Sequence, residues 1–212
     1  MTGTPAATSK RRRLRKEEIV AEATRLFAER GYEGASMGDL AERVGLRKAS
    51  LFHHFPSKDV LYGKVLDRLL EGVREAIDAA AMSEGSFEAR LDNLQDALTN
   101  VFGAQPHAAR LLVRESMDLV GPKKEGLART IDAVLAASLD FIKAGQRDGV
   151  FDPSRDPVQL TVSIVGVHLM PFAVADVMER FTGMTPFHAS FVEERKVAVR
   201  DQVRAMVLAK KR

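Results

Sequence analysis

The chain has 212 residues, 45% of them hydrophobic and 29% charged, with no cysteine and no tryptophan. That length allows one or two packed domains, and the composition excludes collagen-like, disordered and disulfide-stapled classes. The missing cysteines also exclude thiolate metal sites and a cysteine nucleophile, and they suit a reducing compartment. The net charge is +3, yet residues 1–60 hold 12 Lys and Arg against 8 Asp and Glu, while residues 61–212 hold 20 against 21. The positive excess therefore sits in the first quarter. Lys10, Arg11, Arg12, Arg13, Arg15 and Lys16 form a cluster with no acid among them, a pattern that suits polyphosphate or anionic lipid.

Nearly every segment has helical period, so the expected class is all-α with about nine helices. Residues 1–12 read as a disordered basic arm. The arm leads into Leu14, Glu17 and Glu18 rather than an apolar run, so no signal peptide is expected and the chain reads as cytoplasmic. A first helix is predicted from about Arg13 to Arg30, with Ile19, Ala23, Leu26 and Phe27 inward and Gly31 as its stop. Ser36 caps a short second helix, with Asp39 three residues on. Gly45 ends it, and a third short helix follows from about Arg47 to Phe55. Ser57 caps a long fourth helix with Leu61, Val65, Leu69, Val73 and Ile77 at every fourth position.

The fifth helix carries Leu91, Leu94, Leu98, Val101 and Phe102, and Pro106 is placed at the start of a sixth that contains Met117. A turn is expected at Gly121-Pro122, a seventh helix from about Lys124 to Arg147, and turn chemistry over residues 152–157. The eighth helix is predicted as one piece from about Val158 to Phe181. It lacks charge between Asp156 and Asp176, but Gln159, Thr161, Ser163 and two prolines mark it as a buried helix rather than a membrane span. The ninth offers Phe191, Val199, Val203, Met206 and Val207 as its apolar row.

Residues 36–55 carry the functional signal. They read helix, glycine turn, helix, which is a helix-turn-helix whose second helix can enter a major groove. Leu40, Val44, Leu51 and Phe55 would lock the pair together. Arg47, Lys48, Ser50, Phe52 and His53 then face outward, as donors and a ring placed for phosphates and base edges. His53 and His54 are adjacent on a helix and point about 100° apart, so they cannot share a metal ion.

Three ordered runs, Leu-Phe-Ala-Glu-Arg-Gly-Tyr (26–32), Asp-Leu-Ala-Glu-Arg-Val-Gly (39–45) and Lys-Ala-Ser-Leu-Phe-His-His-Phe-Pro-Ser-Lys (48–58), resemble the amino-terminal domain of TetR-family transcriptional regulators. The resemblance implies a DNA-binding domain over residues 13–73 and an all-helical ligand-binding and dimerisation domain over 74–212. It implies that Ser36 and Lys58 meet phosphates while Lys48, Ser50, Phe52 and His53 face the groove. Two departures bear on the operator: Phe52 stands where the family often has Tyr, and Arg47 where it often has a small or hydroxyl residue.

The carboxy-terminal half is read as the regulatory part. A helix apolar all round must be covered all round, so the eighth and ninth helices are expected to form a homodimer interface. A symmetric dimer then reads a palindrome with half-sites about 34–36 Å apart, or a multiple of that. Pro171 is expected to kink the eighth helix. His168 beside it is a buried polar group in need of a partner, either backbone or ligand. Phe102, Met117, Phe141, His168 and Phe172 are the candidate ligand contacts, and Arg114 and Asp118 a surface pair. The expected function is a repressor released from DNA by a largely apolar ligand, with no cofactor, metal or catalytic residue. The motifs H-E-x-x-H, G-x-G-x-x-G and the P-loop are all missing. The alternative is a helical DNA-binding architectural or adaptor protein without an effector.

Overall fold

The computed structural model describes residues 5–117 and 125–209. Among them are ten helices and no strand: α1 Pro5–Gly34, α2 Met37–Arg43, α3 Lys48–His54, α4 Lys58–Met82, α5 Phe87–Gly103, α6 Ala108–Ser116, α7 Glu125–Arg147, α8 Pro157–Ala173, α9 Ala175–Thr182 and α10 Ala189–Val207. They fall into two compact units, one ending at Arg68 and the other beginning at Leu69, so α4 carries residues of both.

The first unit is built from α1, α2, α3 and the start of α4. Helix α1 begins at Pro5 rather than near Arg13. A proline is tolerated in a first turn and Ala6 and Ala7 are strong helix formers, so the helix extends into the expected arm. It breaks at Gly31, where φ is 74°. The Ser36 Oγ accepts from the Asp39 N–H at 3.0 Å, which starts α2 as expected. Gly45 makes the turn at φ 63°, a conformation that a side chain would strain. Ile19, Leu26, Phe27, Leu40, Leu51, Phe55, Leu61 and Val65 are buried, whereas Val44 is only half-buried as the cap of α2. Arg43 pairs with Glu22 and Glu29, and Arg30 with Asp39, so ion pairs tie α2 to α1.

The cationic cluster is partly committed to this fold. Arg15 Nη2 donates to the Val44 carbonyl at 2.6 Å, and Lys16 Nζ lies 5.9 Å from the centre of the Phe55 ring. The side chains of Lys10 to Arg13 lie outside the described ones.

In the second unit α10 packs on α5. Arg200 pairs with Asp96 at 2.7 Å and Arg204 with Asp92. This seats Val199, Val203 and Val207 inward, where they are fully buried within the same chain. These three were expected at a subunit interface, and the structure corrects that. Phe151, Phe87 and Phe141 form an aromatic cluster with centroids 5.8–6.2 Å apart. Gly145 of α7 lies flat against it: a Cβ there would fall 2.2 Å from Phe151 Cδ2. Asp156 caps α8 through its carboxylate and Pro157 occupies the first turn. Helix α6 starts at Ala108, two residues after Pro106. Asp118 and the Gly121-Pro122 turn lie outside the described residues.

The single eighth helix of the sequence reading is two helices. Helix α8 ends at Ala173, and α9 leaves at 74° to it. Pro171 has no N–H to give the Val167 carbonyl. Arg195 of α10 supplies that bond instead, Nη2 to Val167 O at 2.7 Å. Among the described residues no single helix is long and apolar enough to cross a membrane, and the bent pair α8–α9 qualifies by length and composition only.

Candidate functional site

Helix α3 is pinned by Leu51 and capped by Phe55, both buried. At helical spacing this turns the intervening positions outward. Arg47, Lys48, Ser50 and His53 are exposed, and Phe52 is 38% exposed. The first turn of α3 has no acid, and neither Arg47 nor Lys48 has an ion-pair partner among the described residues. Two acids of the same unit are occupied elsewhere, Asp39 with Arg30 and Glu29 with Arg43. The outer face of α3 therefore keeps its positive charge for an anion.

Ser36 is exposed, and its oxygen is already an acceptor in the cap, which leaves its O–H to donate. Lys58 is half-buried at the start of α4. Its Nζ lies over the Tyr32 ring at 4.2 Å from the centre. Tyr32 in turn bonds Asp59, and burial first, then that carboxylate, push the phenol up to about 12. The expected DNA contacts thus share one unit, with Lys58 held by an aromatic ring.

The second unit holds a partly open apolar cavity of about 150 Å³ measured at water-molecule centres. Leu70, Val73 and Ile77 of α4, Leu91 and Leu98 of α5, and Ile164 of α8 are among its walls. Of the candidate ligand contacts, Phe102, Phe141 and His168 line it. Met117 does not: it follows the last residue of α6 and is 81% exposed. Phe172 does not either. It is buried behind the wall, stacked on Phe102 at 6.3 Å and packed on Phe187 at 5.8 Å.

His168 has a partner. Its Nε2 lies 2.7 Å from Gln95 Oε1, and its Nδ1 lies 3.5 Å from Thr99 Oγ1. Burial, helped by the charge of Arg195, drives its pKa down to about 3, so the ring is neutral. The sequence reading missed Gln95. The signal was present, because Gln95 falls on the apolar stripe of Leu91, Leu94, Leu98 and Phe102 at helical spacing. No group of three or more His, Asp or Glu could hold a metal ion among the described residues.

Outside the cavity, α8 leaves apolar side chains uncovered. Val158 and Met170 are exposed, Val162 is 60% exposed, and Phe181 of α9 is 85% exposed.

Residues 19–65 match the family of bacterial regulatory proteins, tetR family, and residues 88–203 match a tetracyclin repressor-like, C-terminal domain. The chain is 31% identical over 156 residues to the HTH-type transcriptional repressor KstR2 of Rhodococcus jostii (strain RHA1), covering 71% of this chain and 74% of that one. Its fold is similar to that of the ketosteroid transcriptional regulator KstR2 of Mycobacterium tuberculosis, with a TM-score of 0.76 at 19% identity over 92% of this chain and 96% of that one. It is also similar to AibR in complex with isovaleryl coenzyme A and operator DNA, with a TM-score of 0.70 at 18% identity over 92% and 98%.

Proposed function

The chain belongs to the TetR family of bacterial regulatory proteins, and from that premise we propose that it is a repressor released from a palindromic operator by a small, largely apolar ligand. Members of this family are DNA-binding transcriptional regulators, not enzymes, and the chain is one of them. The observation that carries the finer reading is the pairing of an exposed, cationic α3 with an apolar cavity in the same chain.

Arg47, Lys48, Ser50, Phe52 and His53 read the major groove in this proposal, and Ser36 and Lys58 hold phosphates. The R. jostii relative is named a repressor, and AibR has been crystallised with both an acyl-coenzyme A and operator DNA; both support the direction and the ligand response. Dimerisation is typical of the family. We assign it to the uncovered side chains of α8 with Val197 of α10, since exposed apolar side chains seek a cover.

Release is a linkage between two sites. The ligand binds best to the dimer state whose two recognition helices do not match the half-sites. Helix α4 is the proposed lever, because it begins at Lys58 and places Leu70, Val73 and Ile77 on the cavity wall.

The test is a footprint of the purified protein on the DNA around its own gene, at stated salt. Protection of a palindrome is expected. Salt-sensitive binding along the whole duplex, unchanged after any co-purified ligand is extracted, would overturn the proposal in favour of an architectural protein.

A further inference from the structure

We propose that Gln95 is the polar contact of the cavity's ligand: its amide Nε2–H donates to a single acceptor oxygen on an otherwise apolar, uncharged molecule. This rests on the reading of the cavity as the effector site. Gln95 lines the cavity and is 1% exposed. Its Oε1 faces His168 Nε2 at 2.7 Å. An acceptor at that distance places the imidazole proton on Nε2 and leaves Nδ1 bare. The Thr99 hydroxyl, the neighbour of Nδ1, gives its own proton to the backbone carbonyl of Gln95, one helical turn back, at 2.8 Å. Nδ1 is thus left as an acceptor without a donor, and on the far side of the ring one donor is left without an acceptor. Gln95 Nε2 is buried with no hydrogen-bond partner among the described residues.

A buried donor without an acceptor is costly, and a ligand oxygen that meets it recovers the loss. The other polar side chains on the wall are Ser116, Ser138, Thr161 and His168, and among the described residues no Asp, Glu, Lys or Arg joins them. The imidazole is neutral because burial and the charge of Arg195 both oppose its protonation. A charged ligand therefore finds no counter-ion, whereas a ketone, ester or ether finds one donor. A cavity of this size takes a molecule of about the bulk of benzene.

The test uses two probes of one shape, cyclohexanone and methylenecyclohexane, in which C=CH2 replaces C=O. Binding to the full chain is measured by calorimetry for wild type and Gln95→Leu. The expected result is about a tenfold loss of cyclohexanone affinity in the variant with no loss for the hydrocarbon. In 15N-labelled wild type the Gln95 side-chain amide resonances should move with cyclohexanone and stay with the hydrocarbon. This readout stands even if the variant fails to fold. Equal effects on both probes, an unmoved Gln95 amide, or failure of both probes to bind at millimolar concentration would overturn the assignment. Because binding alone is scored, a kept carbonyl preference without operator release supports Gln95 and contradicts the effector reading, and operator release without the preference does the reverse.

Discussion

On α3, Lys48, Ser50 and His53 stand in solvent above a buried Leu51, so polar groups are outside and an apolar seam is inside. In the second unit the order is inverted. Gln95, Thr99 and His168 are buried, the first and last on a cavity wall, while Val158 and Val162 stand in solvent. Each inversion carries a cost that a partner can repay: an unmet donor at Gln95 and uncovered apolar area on α8. In the proposed function the first surface meets a charged polymer, the interior an apolar molecule and the uncovered side chains of α8 a second copy.

The sharpest way to break this contrast is at Leu51. It is fully buried, and Leu51→Ala should cost about 3 kcal/mol. Chemical denaturation should show the loss, with weaker DNA binding and unchanged binding of cyclohexanone. A fall in probe affinity of similar size would mean that the two regions are not separable as described.

Gly145→Ala probes the other region by overfilling it. The added Cβ would meet the Phe151 ring at 2.2 Å, and neither ring nor helix can yield cheaply. A loss of about 2 kcal/mol is expected in denaturation, with cavity binding affected more than DNA binding.

The buried imidazole gives a pH signature. The unfolded chain takes up a proton at His168 near pH 6.5, whereas the folded chain refuses it until about pH 3. The unfolded state thus binds more protons in that window. The stability contributed by a neutral His168 is full above about pH 6.5 and falls as pH drops towards 3. Between pH 7 and pH 5 this amounts to about 2 kcal/mol. His168→Gln should lose less stability than wild type over that interval. Equal losses would show that the ring is protonated in the fold.

Ser36→Ala is a smaller lever. It removes the α2 cap and should cost about 1 kcal/mol. If Ser36 also meets phosphate, DNA affinity should fall beyond what the stability loss explains.

The parts legible in the sequence are those whose constraint is local. Ser36 with Asp39, Gly45, and the inward spacing of Leu40, Leu51 and Phe55 lie within one stretch, and the structure places them as read. The cavity depends on helices far apart in the chain. Phe102, Phe141 and His168 could be found by apolar periodicity, yet the same periodicity also named Met117, which lies beyond the end of α6, and Phe172, which faces Phe102 and Phe187. Gln95 hid on an apolar stripe because its reason is His168, 73 residues away. The break after α8 was foreshadowed by Pro171. Its stabilising partner Arg195 could not be, since 28 residues separate it from Val167.

The most direct test of the account is the affinity of wild type and Lys48→Ala for one operator duplex and one random duplex, measured across a salt series. Lys48 is exposed and without an ion-pair partner among the described residues, so its loss should leave the denaturation midpoint unchanged. The account predicts about a tenfold weaker operator complex and a narrower gap between operator and random DNA. An operator affinity unchanged by the substitution would contradict the assignment of α3 as the surface that reads DNA.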